Sequence, residues 1–116
     1  MKPVRTHRKL DLEADLRKFA AARPQGWDHH DWEVFLDHLA QRGHDVRDPE
    51  AIGAQLERER LATILDRIQG MGPRRIEALV ERYHTLWNLR QASVEELAGF
   101  RSIPRSLAER IYEEVH

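Results

Sequence analysis

Between Ile68 and Tyr83 the sequence reads IQGMGPRRIEALVERY, which sets Gly70, Gly72 and Pro73 directly against Arg74 and Arg75. Glycine has no Cβ, so the chain at Gly70 and Gly72 can take a positive φ and come close to a ligand. Pro73 suits the first position of the helix that follows, where a missing N–H costs little. The amides left over at Gly70, Gly72 and Arg74 would then face outward at the positive end of a helix dipole, an arrangement suited to an anion such as a phosphate. Arg74 and Arg75 are its charge partners, and Met71 is expected to turn inward as a plug for the core. A plain turn between two helices accounts for the same glycines; the arginine pair is what favours the anion site.

A second cluster is WDHHDW, residues 27–32, in which Asp28, His29, His30 and Asp31 are all metal-ligand or acid–base types. Consecutive helical residues point in different directions, so these four do not converge on one ion, and Asp28 is expected to cap the helix that begins there. A metal-dependent nuclease using Asp28 to Asp31 is the alternative. His38, His44, His84 and His116 have no partner at ligand spacing and are expected to face solvent. Trp32 and Trp87 are expected in the core by their helical spacing, while Trp27, in a turn beside Gly26, is open between core and base stacking. Nowhere do a nucleophile, a base and an orienting group come together, so no enzymatic activity is expected.

The elements that must position these groups are helical. Leu12, Leu16, Phe19 and Ala20 share a face before Pro24 and Gly26 end the run, and Trp32, Phe35, Leu36 and Leu39 repeat the spacing up to Gly43. A third helix starts at Asp48-Pro49-Glu50, with a cap, a first-position proline and an acid at the positive pole. Its apolar phase then shifts. Ile52 and Leu56 lie nearly opposite Leu61, Ile64, Leu65 and Ile68, across the polar stretch Glu57 to Arg60. With no breaker between residues 54 and 68, this predicts one continuous helix serving two cores. The β-branched residues are scattered through helical periods, so no strand is expected.

From Leu65 the sequence repeats. LDRIQGMGPRRIEALVERY (65–83) lies over LAGFRSIPRSLAERIYEEV (97–115) at a shift of 32 residues without a gap, matching Leu65 to Leu97, Met71 to Ile103 and Leu79 to Ile111. Each copy is a helix, a short turn and a second helix. Between them lie a short helix at Leu86, Trp87 and Leu89, and a capping box from Ser93 to Glu96. Neither copy can bury its apolar face alone, so the two should close one core.

The first copy resembles the helix-hairpin-helix motif, and the pair is similar to the tandem helix-hairpin-helix domain at the C-terminus of the excision-nuclease subunit UvrC and of XPF-type nucleases. The resemblance covers residues 61–116. It implies an all-α, SAM-like fold of the RuvA C-terminal kind, and sequence-independent binding of DNA through its phosphate backbone across the minor groove. Carried over by position, it implies Gly70, Met71, Gly72, Arg74 and Arg75 as DNA-binding residues in hairpin one, and Ser102, Ile103, Arg105 and Ser106 in hairpin two. Ser102 replaces the first glycine there and Pro104, which has no amide, replaces the second. The resemblance also implies a K⁺ or Na⁺ ion held by hairpin carbonyls near Gly70.

The chain of 116 residues suits one compact domain or a small domain with a helical extension. Three parts are expected: a basic flexible arm at 1–9, an N-terminal helical subdomain with a bridging helix at 10–60, and the tandem domain at 61–116. The formal net charge is −1, so any nucleic-acid argument must be local. There is no cysteine, hence no disulfide or thiolate site, and no apolar run reaches membrane length. The expectation is a cytoplasmic, nucleoid-associated DNA-binding protein, accessory to repair, recombination or replication, acting on double-stranded or branched DNA, with a repair protein or a second copy as further partner. The other class is a protein-interaction or dimerisation module without DNA contact.

Overall fold

The computed structural model describes residues 5–116, with side chains from Asp11 onward. Among these residues there are seven α-helices and no strand: α1 (Arg5–Ala22), α2 (His29–Gln41), α3 (Pro49–Asp66), α4 (Gly72–Tyr83), α5 (Leu86–Arg90), α6 (Val94–Ala98) and α7 (Arg105–Val115). The basic arm expected at 1–9 lies partly outside the described residues; α1 already begins at Arg5. Contacts divide the chain into two units, one ending at Leu56 and one running from Glu57 to His116.

The first unit is built on Leu16, Phe19 and Ala20 of α1, Phe35 and Leu39 of α2, and Ile52 and Leu56 of α3. Phe19 and Phe35 stack with centroids 4.0 Å apart, and Trp27 meets Phe19 edge-on at 5.3 Å. Trp27 is therefore packed on this core rather than held out for a base, and Trp32 is half-buried beside it. The start of α2 is fixed by a reciprocal box. Asp28 accepts the Asp31 amide at 2.7 Å, and the Asp31 carboxylate accepts the Asp28 amide at 3.4 Å.

His44 departs from the sequence expectation. Its side chain is only 5% exposed, with Nε2 2.9 Å from Asp15 Oδ2, while Arg42 Nε donates to the same oxygen at 2.7 Å. The partner lies 29 residues away in sequence, beyond the reach of a spacing argument. Burial pushes the Asp15 carboxyl up, but the hydrogen bonds and charges of Arg42 and His44 outweigh it and hold it below its ordinary 3.8. A carboxylate whose folded pKa is depressed stabilises the fold fully above its unfolded pKa, and loses that contribution as pH falls through the folded value. At pH 7, Asp15→Asn should therefore cost about 1–3 kcal/mol, by replacing the charged acceptor of Arg42 and His44 with a neutral one. Urea midpoints at pH 7 and pH 3 check this: the gap between the two proteins should narrow at pH 3, and an equal gap at both would contradict it.

The second unit, from Glu57 on, closes around one core. Leu61, Ile64 and Leu65 of α3, Leu79 and Tyr83 of α4, Leu86 and Leu89 of α5, Leu97 of α6, and Leu107, Ala108, Ile111 and Val115 of α7 meet there, together with Met71 and Ile103 from the turns. Helix α3 runs unbroken from Pro49 to Asp66, with Asp48 accepting the Ala51 amide at 3.2 Å. Ile52 and Leu56 belong to the first core and Leu61, Ile64 and Leu65 to the second, so the phase shift in the sequence marks where its apolar face changes partners.

Two expectations fail in this unit. Trp87 is 68% exposed. Leu86 and Leu89, three apart on the one-turn helix α5, share the buried side, and Trp87 at the next position points ~100° away from it. The capping box at Ser93 is half-made: Ser93 Oγ accepts the Glu96 amide at 3.0 Å, but the Glu96 carboxylate accepts the Tyr83 hydroxyl at 2.5 Å instead of reaching back. Burial and that hydrogen bond raise the Tyr83 pKa well above the ordinary phenol value.

Candidate nucleic-acid interface

The two turns of the second unit superpose in hydrogen-bond pattern at the 32-residue shift. Ile68 and Phe100 donate to Leu65 and Leu97 (3.0 and 3.2 Å), and Met71 and Ile103 donate to Ile68 and Phe100 (3.3 and 3.1 Å). Met71 and Ile103 are each 2% exposed. Their side chains plug the core, so at these positions only backbone is left for a ligand.

Gly70 and Gly72 both take positive φ, at 95° and 70°. A Cβ added at Gly72 would meet nothing within 4 Å, so the surface above that backbone is open. The amides of Gly70, Gly72 and Arg74 find no backbone acceptor among the described residues. Pro73, expected at the first position of the helix, is the second residue of α4 after Gly72 and brings no N–H. Hairpin two presents the amides of Ser102, Arg105 and Ser106 in the same state, and both serine side chains are exposed. It differs at Pro104, the counterpart of Gly72, which has φ −69° and no amide.

The basic side chains divide into three groups. Arg74 is exposed and has no partner among the described residues; Arg67 and Arg101, which spacing did not single out, stand in the same state within the two turns. Arg105 is shared between Glu95 at 3.2 Å and Glu109 at 3.5 Å. These are exposed pairs worth ~0–1 kcal/mol, which a phosphate can displace. Arg75 is committed elsewhere. Its Nε donates to the Ser102 carbonyl at 2.6 Å and its Nη1 to the Gly70 carbonyl at 2.9 Å. Gly70 and Ser102 occupy the same place in the two copies, so one guanidinium ties the two turns side by side. Arg110, from α7, braces the same turn by donating to the Gln69 carbonyl at 2.9 Å.

The geometry is that of two backbone turns held together, with free amides and exposed arginines at their tips. Residues 62–116 match the family of SAM-like helix-hairpin-helix tandems. They form a tandem helix-hairpin-helix domain. The sequence is also 38% identical over 78 residues to UvrABC system protein C of Carboxydothermus hydrogenoformans, 40% over 79 residues to that of Aliivibrio fischeri, and 46% over 56 residues to that of Methanothermobacter thermautotrophicus. These segments take in 65%, 66% and 48% of this chain, but only 13%, 13% and 10% of the relatives. The first two are longer than the tandem domain, so the likeness extends into the residues before it. No solved structure matches the chain.

The fold family raises the question of a K⁺ or Na⁺ ion at hairpin one, where the Gln69 and Gly70 carbonyls do not stand free. The carbonyls of Ile68, Gln69 and Gly70 accept from the Met71 amide, Arg110 and Arg75 in turn. Two of the three thus already face a full positive charge. The cluster at Asp28 to Asp31 does not converge on an ion either: Asp28 and Asp31 cap each other, and His29 pairs with Glu33 at 3.2 Å. Among the described residues no group of three His, Asp or Glu side chains is placed to hold a metal. No helix of the described chain is long and apolar enough to cross a membrane.

Proposed function

We propose that the tandem domain binds DNA without reading sequence, each hairpin tip receiving a backbone phosphate, in the service of DNA repair as its likeness to UvrABC system protein C suggests. The observation that carries this reading is the pairing of free amides at Gly70, Gly72 and Arg74 with open space over Gly72. A phosphate oxygen brought there meets several N–H donors and the positive end of α4 at once.

Hairpin one is the stronger of the two sites. Gly72 supplies an amide where Pro104 supplies none, and Arg74 is unpaired where Arg105 is shared with two carboxylates. Arg67 and Arg101 extend the charge along both turns. Residues 61–116 carry eight basic and eight acidic side chains, so affinity depends on where the charge stands, not on its sum. Since amides and arginines recognise phosphate rather than base edges, binding tolerates any sequence. Forked and branched DNA, which offers backbones at varied angles, suits two tips fixed side by side.

Fluorescence anisotropy of the full chain with duplex, forked and single-stranded DNA across a salt series tests the proposal. Affinity should fall with a log–log slope of about −0.9 per phosphate neutralised, and Arg74→Ala should flatten that slope by about one unit while weakening all sequences alike. A slope unchanged by Arg74→Ala would remove Arg74 from the interface.

A further inference from the structure

Arg105 begins α7 at the tip of hairpin two, yet its guanidinium is turned to two carboxylates of the chain itself. Its Nη2 lies 3.2 Å from Glu95 Oε2 and its Nε 3.5 Å from Glu109 Oε2. Glu109 stands one turn further along α7 and Glu95 lies on α6, so the pair draws the guanidinium back from the free amides of Ser102, Arg105 and Ser106. All three side chains line one open cleft of about 480 Å³, together with Ser93 and Tyr112. Hairpin one has no such arrangement. At the 32-residue shift Pro73 stands in the place of Arg105 and Thr63 in that of Glu95, and the Thr63 hydroxyl donates to the Glu59 carbonyl at 2.8 Å. The Glu95 carboxyl is held below its ordinary value, by its own backbone amide first and by Arg105 next. It is therefore charged at neutral pH and competes with any phosphate for the guanidinium.

We propose that Glu95 and Glu109 decide when hairpin two takes a phosphate: they hold Arg105 back, and yield it only to a phosphate that hairpin one has already brought alongside. This deepens the phosphate reading and rests on it. Exposed pairs of this kind are weak, each shifting an equilibrium by up to about fivefold, so a lone phosphate arriving from solution gains little by exchanging for them. Once hairpin one is bound, further phosphates of the same DNA are presented at high effective concentration, and the same exchange becomes favourable. The two acids thus select DNA that reaches both tips over DNA that reaches one.

Glu95→Gln combined with Glu109→Gln keeps the size of both side chains and removes their charge. Fluorescence anisotropy of the full chain with a duplex of arbitrary sequence, in a salt series, should show this double variant binding about threefold or more tighter than wild type, with a log–log slope steeper by about one. Most of the gain, and the steeper slope, should be lost when Arg105→Ala is added. In a Gly72→Asp background, where hairpin one is blocked, the two glutamines should restore measurable binding. A thermal melt of each variant checks the fold, and should the double variant melt out, Glu95→Gln alone carries the same expectation at smaller size. No gain at all would overturn the proposal. Equal gains with and without Arg105 would do so too, since the carboxylates would then merely repel DNA. A wild type that binds, with no dependence on these two acids, removes this inference alone, whereas a wild type and a double variant that both fail to bind at low salt sink the phosphate reading with it.

Discussion

Gly72→Asp should abolish DNA binding, lowering affinity by at least about tenfold, while the protein stays folded. The carboxylate would stand in the open space over the turn, where the proposed phosphate sits, and set like charge against like. The structural cost is limited to the backbone: at φ 70° a residue with a Cβ is strained by roughly 1–2 kcal/mol, and aspartate is among those that tolerate this region best. Nothing within 4 Å obstructs the new side chain. Anisotropy paired with a thermal melt separates the two effects. A variant that melts a few degrees lower and binds as tightly as wild type would place the phosphate elsewhere.

The second large effect concerns the core that holds the turns. Leu65 and Leu97 occupy the same place in the two copies and both are fully buried. Truncating either to alanine should cost about 2–5 kcal/mol, from lost burial together with the cavity left behind. That is a large share of the ~5–15 kcal/mol of an ordinary domain. Because the two hairpins close a single core, the two substitutions should have similar costs in urea denaturation. A Leu97→Ala variant as stable as wild type would mean that hairpin two is not an equal half of the core.

The helical class, the duplication and the turn of hairpin one could be read in the sequence because each is written in short-range spacing. Met71 between two glycines, Pro73 after them and the 32-residue offset all concern neighbours along the chain. The phase shift in α3 was legible for the same reason, as apolar residues changed face within one unbroken helix. What escaped depends on contacts distant in sequence. Nothing near Arg75 indicates that its guanidinium closes on Ser102, 27 residues on, or that Arg110 reaches back 41 residues to Gln69. By sequence Arg75 is a charge partner for phosphate, and Arg110 is not singled out at all. Glu96 followed the spacing of a capping box, yet a tyrosine hydroxyl 13 residues away took its carboxylate. Trp87 is grouped with Leu86 and Leu89 by helical spacing, when a helix of one turn has a single buried side. Arg67 and Arg101 lie inside the two turns at different places in the repeat, Arg67 opposite Gly99 and Arg101 opposite Gln69, so the likeness of the copies does not point to them.

The central claim is that backbone amides at two adjacent tips hold the DNA. Its most direct test is a titration of the ¹⁵N-labelled full chain with a short duplex of arbitrary sequence at low salt, following every amide. The account predicts that the largest shifts fall at Gly70, Gly72 and Arg74, with smaller ones at Ser102, Arg105 and Ser106, and that a duplex of unrelated sequence gives the same pattern. Shifts concentrated elsewhere on the chain, or none at these six amides when DNA is bound, would contradict it.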